Sequence, residues 1–166
     1  VVNGTPAASA NLTWKGNVNG TWDTSSLNWN DGSSAVAYSN GKLVTFDDTL
    51  STSPLNTNIT LSTTFSPSNA IAVNSTYTYF LSGGGLSGNM NFTKSGGAAF
   101  SLGMANTYAG LTTVSSGTLI VANASALGST ASNTVVASGA TLTVGNDSTG
   151  ITVAAEPITL NGPGVG

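Results

Sequence analysis

The sequence predicts an all-β protein built as a parallel β-helix, a solenoid of stacked coils, and three observations carry the prediction. One short phrase, a Ser-Gly turn followed by a brief alternating segment, is written three times: KSGGAAFSL from Lys94, VSSGTLIV from Val114 and VASGATLTV from Val136. From Gly97 to Gly117 and from Gly117 to Gly139 the spacing is twenty-odd residues, a repeat length that cannot bury an apolar face alone and must stack. Within each copy apolar and polar residues alternate with a period of two, the mark of a strand with one buried face. No helical period intervenes, so like residues laddered from coil to coil are the economical solution.

Taken in order, Val1 to Asn11 is an arm of small residues that begins with Val1 and Val2. Residues 12–57 are expected to form a Trp-rich N-terminal cap and the first strands, and residues 58–166 the β-helix coils. Trp14, Trp22 and Trp29 sit on short segments parted by Asn-Gly and Asp-Gly steps, which are turn signals. Their indoles have two candidate uses: a plug over the first coil, or a platform on which the pyranose rings of a surface glycan stack. An uncovered solenoid end invites aggregation, which favours the plug.

Past the turn at Asn40-Gly41, Leu43 or Val44 is expected to face inward together with Phe46. Asp47 and Asp48 then form an adjacent acidic pair. Neighbouring strand residues point to opposite faces, so a solvated turn is favoured over a calcium site or a glycoside-cleaving pair. Ile59 and Leu61, Ile71 and Val73, then Tyr77, Tyr79 and Leu81 continue the inward series, with Pro67 and the run Gly83 to Gly85 at corners. Phe100, Leu102, Val114, Leu119, Val121, Val136, Leu142 and Val144 follow, and the same face extends through Ile151, Val153, Ile158 and Leu160. Thr118 and Ile120 are expected to face water.

Composition narrows the function. Three Lys, no Arg and no His stand against six acidic residues, for a net charge of -3. Phosphate binding needs clustered cations, which argues against nucleic acid as a partner. With no Cys there is no disulfide framework and no thiolate metal site. Lacking both His and Cys, the chain has no Ser-His-Asp or Cys-His arrangement, and the run Ser82 to Gly85 lacks the Lys and helix of a phosphate loop. Asp23, Asp31, Asp47, Asp48, Asp147 and Glu156 are scattered, so no catalytic residue, metal or cofactor is expected and the chain is not expected to be an enzyme. No apolar run approaches the roughly 20 residues that a membrane-spanning helix needs.

The run TKSGGAAFSLGMANTYAGLTTVSSGTLIVANASALGS, from Thr93 to Ser129, resembles the autotransporter-associated β-strand repeat of bacterial surface proteins. Its NTYAG-TTV step and its SGTL-V-N-ALG close agree in order. The upstream phrases TWKGNVNGTWDTSSLNWNDG and VTFDD are similar to the segment that often leads into such repeats. The resemblance implies a right-handed parallel β-helix, exported through the bacterial envelope and either displayed at the outer cell surface or released outside the cell. Members of this class serve as passengers, stalks and adhesive scaffolds, so the resemblance implies no reaction. A C-terminal membrane barrel of the kind that exports such passengers is not in the sequence, which is expected to be a fragment, a processed product or a relative secreted another way.

The ends of the chain suggest assembly. ITVAAEPITLNGPGVG still alternates, through Ile158 and Leu160, up to Val165. A β-helix edge there presents unpaired backbone groups and an open core. The expectation is a homo-polymer stacked head to tail, with the arm from Val1 and Val2 lying along a neighbour as an added strand, a contact that need not close into a ring. The functional expectation is a structural subunit of an extracellular fibre or surface scaffold; the alternative is a carbohydrate-binding adhesin module that uses the three Trp residues.

Overall fold

The computed structural model describes residues 11–50, 55–145, 150–153 and 155–162. Among these residues there are strands and turns and no helix. Each coil contributes two wall strands. The first has β1 (Leu12–Trp14) and β2 (Thr21–Trp22). Two short strands, β3 (Trp29–Asn30) and β4 (Ala35–Val36), then fold back antiparallel onto β1 and onto each other. The parallel stack resumes with β5 (Leu43–Asp47) and β6 (Asn58–Leu61), then β7 (Asn69–Val73) and β8 (Tyr79–Gly83). Three further coils bring β9 (Phe92–Ser95) and β10 (Ala99–Leu102), β11 (Thr112–Val114) and β12 (Thr118–Val121), and β13 (Thr134–Val136) and β14 (Thr141–Val144). The last strand is β15 (Ile158–Leu160).

The result is a parallel β-solenoid with two walls. One sheet runs β15-β13-β11-β9-β7-β5-β1-β3-β4, and the other β14-β12-β10-β8-β6-β2. Parallel pairing reaches back to β1 and β2, so the Trp-rich segment forms the first coil as well as the antiparallel edge that covers it. A third, irregular side closes each coil through backbone bonds between successive turns, such as Ser87 N to Phe65 O (2.9 Å), Thr107 N to Leu86 O (2.8 Å) and Ser129 N to Tyr108 O (2.8 Å).

The repeat is a ladder in three dimensions. Phe100, Leu119 and Leu142 stand in one rank, and Leu102, Val121 and Val144 in the next. Leu119 and Val121 are buried, while Thr118 and Ile120 on the other face are half-buried. Coils approach so closely at the corners that a side chain has no room: a Cβ on Gly84 would lie 2.0 Å from Thr63 O. Gly at that corner is a packing requirement.

Inward expectations change at seven residues. In β7 it is Ala70 and Ala72 that are buried, and Ile71 and Val73 face outward, Val73 at 45 % exposure. Val44 and Phe46 lie beside Ala70 and Ala72 on one side, and Phe92 and Lys94 on the other. Those long side chains fill the lumen at this level and leave room only for methyl groups, so volume decides the face where hydrophobicity cannot. Val144 has the predicted register but is 46 % exposed, because β14 is the edge of its sheet. Ile158 and Leu160 form an edge strand and are exposed for the same reason. Ile151 and Val153 are half-buried but form no strand; they precede β15 on the irregular side of the coil.

Candidate functional site

The two ends of the solenoid differ, and they are where its chemistry is concentrated. At the N-terminal end Trp14, Trp22 and Trp29 are all fully buried. Ring centroids lie 5.1 Å apart for Trp14 and Trp29 and 4.8 Å for Trp22 and Trp29, both edge-to-face. Tyr38 packs edge-on against Trp22 at 5.0 Å, Phe65 stacks on Trp22 at 5.5 Å, and Phe46 carries the contact to Phe100 at 5.4 Å. Aromatic pairs at such distances gain ~0.5–1.5 kcal/mol each beyond burial. All three indoles, weighed from the sequence as plug or glycan platform, are packed inside this aromatic cluster and none is exposed.

Polar groups at this end are used to shape the cap. Buried Asn28 accepts from Val18 N (2.9 Å) and Asn19 N (3.1 Å) and donates to Asn19 Oδ1 and Thr21 O (both 2.8 Å), which uses all four of its hydrogen-bonding positions. Trp14 Nε1 donates to Asn56 O at 2.9 Å. The indole N–H groups of Trp22 and Trp29 have no acceptor among the described residues. Nothing in the composition singles out Asn28 among so many Asn residues.

The acidic residues serve turns. Asp48 accepts from Ser75 N (2.7 Å), Thr76 N (3.1 Å) and Tyr77 N (3.1 Å) and so anchors the next coil's turn. Burial pushes its pKa up, but these N–H groups outweigh burial and hold the carboxyl below its usual value. Asp47 accepts from Thr49 N, and Lys15 Nζ lies 4.0 Å from its Oδ1. Asp23 accepts from Ser25 N and Ser26 N, and Asp31 from Ser33 N and Ser34 N. Among the described residues no three acidic side chains converge as a metal site would require. Asp147 lies outside the described residues.

At the C-terminal end β14 and β15 are the outermost strands of the two sheets, with Val144 at 46 %, Ile158 at 39 % and Leu160 at 67 % exposure. Glu156 there accepts from buried Thr134 Oγ1 at 3.0 Å, and burial raises its pKa. Of the residues expected to carry assembly, Ile158 and Leu160 lie on this edge, whereas Val1, Val2 and Val165 lie outside the described residues. Among the described residues no helix is long and apolar enough to cross a membrane.

Parallel walls and laddered inner ranks make this a parallel β-solenoid, an architecture that fits a passenger-type β-helix. The family model of the passenger-associated-transport-repeat matches residues 92–121, the span from β9 to β12, and points to a secreted or surface protein. No curated protein and no solved structure matches the chain.

Proposed function

We propose that the chain is a structural segment of a bacterial surface scaffold or extracellular fibre, working outside the cell or on its outer surface, and that it associates with further copies through its solenoid ends. The observation that carries this is the asymmetry of the ends. One is filled with aromatic rings, and at the other, among the described residues, β14 and β15 have no outer neighbour beside Val144, Ile158 and Leu160. Exposed edges of this kind are templates for added strands. Head-to-tail stacking would bring β14 and β15 of one copy against β2 and β4 of the next. The reading is non-catalytic, supported by the commitment of Asp23, Asp31 and Asp48 to backbone turns.

Sedimentation velocity and electron microscopy across a concentration series test this. The native chain should form end-to-end oligomers, and Leu160→Asp should reduce them while leaving the melting temperature nearly unchanged, since Leu160 is mostly exposed. A monodisperse monomer at high concentration would end the assembly proposal.

A further inference from the structure

Lys94 is an inward-facing residue of β9 and is fully buried. Period-two alternation from Phe92 places it there, in register with Ala72 below and Val114 above. Among the described residues its ammonium meets no carboxylate within ion-pair distance, and the ion pair found there joins Lys15 and Asp47. Instead Nζ donates to Ser95 O at 2.6 Å, Gly96 O at 2.7 Å and Ser116 O at 3.4 Å. Those carbonyls belong to the turns of two successive coils. The turns are also tied by Gly96 N donating to Ser116 Oγ at 2.9 Å. Gly117 completes the enclosure, since a Cβ there would lie 3.0 Å from Nζ and 2.1 Å from Gly96 O.

An ammonium has three N–H donors and no acceptor, so three converging carbonyl oxygens match it group for group. Other lumen positions of the same rank hold Phe46, Ala72, Val114 and Val136, which need no such partners. We propose that the turns at residues 95–97 and 115–117 form a built cation site, selective for a primary ammonium, in which the side chain of Lys94 is the resident ligand that joins the third and fourth full coils after the cap. Burial pushes the Lys94 pKa down to about 8, and the charge of Asp48 pulls the other way. The ammonium form therefore still predominates at neutral pH.

The test is chemical rescue. Lys94→Ala leaves the carbonyls in place and removes the cation. Adding methylammonium chloride should raise the melting temperature of this variant by several degrees and leave the native chain and Lys94→Met unchanged. Tetramethylammonium chloride at the same ionic strength, which has no N–H to donate, should do nothing. Equal effects of the two salts on Lys94→Ala would overturn the proposal. A second measurement uses the native chain, whose three Lys residues make the assignment simple. Proton–nitrogen spectra near pH 6.5 should show one ammonium signal protected from exchange with water; if all three exchange freely, no enclosed cation site exists.

Discussion

The two ends of this solenoid are made from the same strand repeat and finished in opposite ways. At the N-terminal end the lumen is filled by Trp14, Trp22, Trp29, Tyr38, Phe46 and Phe65, and β3 and β4 lie across the sheet edge. Toward the C-terminal end the inner ranks thin to Val114, Leu119, Val121 and Val136, and the last coil leaves Leu142 half-buried and Val144 exposed. Burial therefore declines along an unchanged register. The comparison teaches that in a stack of coils the strand pattern sets where a side chain points, while the coil above sets how much that orientation is worth.

The largest expected effect comes from opening the closed end. Trp22 touches Trp29, Tyr38, Phe46 and Phe65. Trp22→Ala should cost ~3–5 kcal/mol, the range for large buried aromatics, and should lower the denaturant midpoint throughout the stack. A loss under about 1 kcal/mol would show that the cap is an independent unit and would break the comparison at its stronger side.

Next in size is a matched pair within a single rank. Leu119 is fully buried, and Leu142, its register partner one coil on, is half-buried. Leu119→Ala should cost ~2–5 kcal/mol. Leu142→Ala should cost clearly less, because less of its surface leaves water on folding. Equal losses in urea unfolding would mean that further chain or another copy covers the last coil in solution.

A smaller effect is tied to pH. Asp48 holds three backbone N–H groups of the next coil, and its pKa is depressed from the usual 3.8. The folded state then binds fewer protons than the unfolded one, so this contribution is complete above about pH 4 and is lost as pH falls below it. Asp48→Asn should flatten that acid limb and cost ~1.5–3 kcal/mol at neutral pH, the range for hydrogen bonds to a charged group. The readout is the melting temperature as a function of pH, compared between the native chain and the variant.

Much of this was legible in the sequence because the ladder is regular. The pairing of Leu119 with Leu142 and of Val121 with Val144 follows from aligning the segments TLIV and TLTV, whose spacing is one residue longer than that of the Ser-Gly turns before them. The β7 segment was not legible, since NAIAV is apolar on both faces and the deciding factor, the bulk of Phe46 and Phe92 beside it, comes from neighbouring coils. Exposure at β14 and β15 was hidden for a related reason: alternation reports a side chain's direction and says nothing about whether a further coil lies above it. Lys94 was legible in principle, two residues from Phe92 on an alternating strand, but a charged residue in the inward position reads as an interruption until its three carbonyls are seen. Asn28 and Asp48 were not, because their partners are backbone groups brought near by turns.

The smallest effect sits at the open end and has the opposite sign to that of Asp48. Glu156 accepts from Thr134 Oγ1, but burial outweighs this bond and raises its pKa above the usual 4.5. The folded state therefore binds more protons than the unfolded one, and stability falls as pH rises through and above 4.5. A carboxyl that is protonated can donate as well as accept, so mild acid should tighten the last coil while stronger acid, acting through Asp48, loosens the coils nearer the cap. Hydrogen exchange resolved by segment separates the two: between about pH 5 and pH 7, protection in β15 should decline slightly while that of β5 to β9 holds steady. Glu156→Gln should remove the decline. If β15 is equally protected at both values in the native chain, Glu156 is better solvated than its contact with Thr134 indicates.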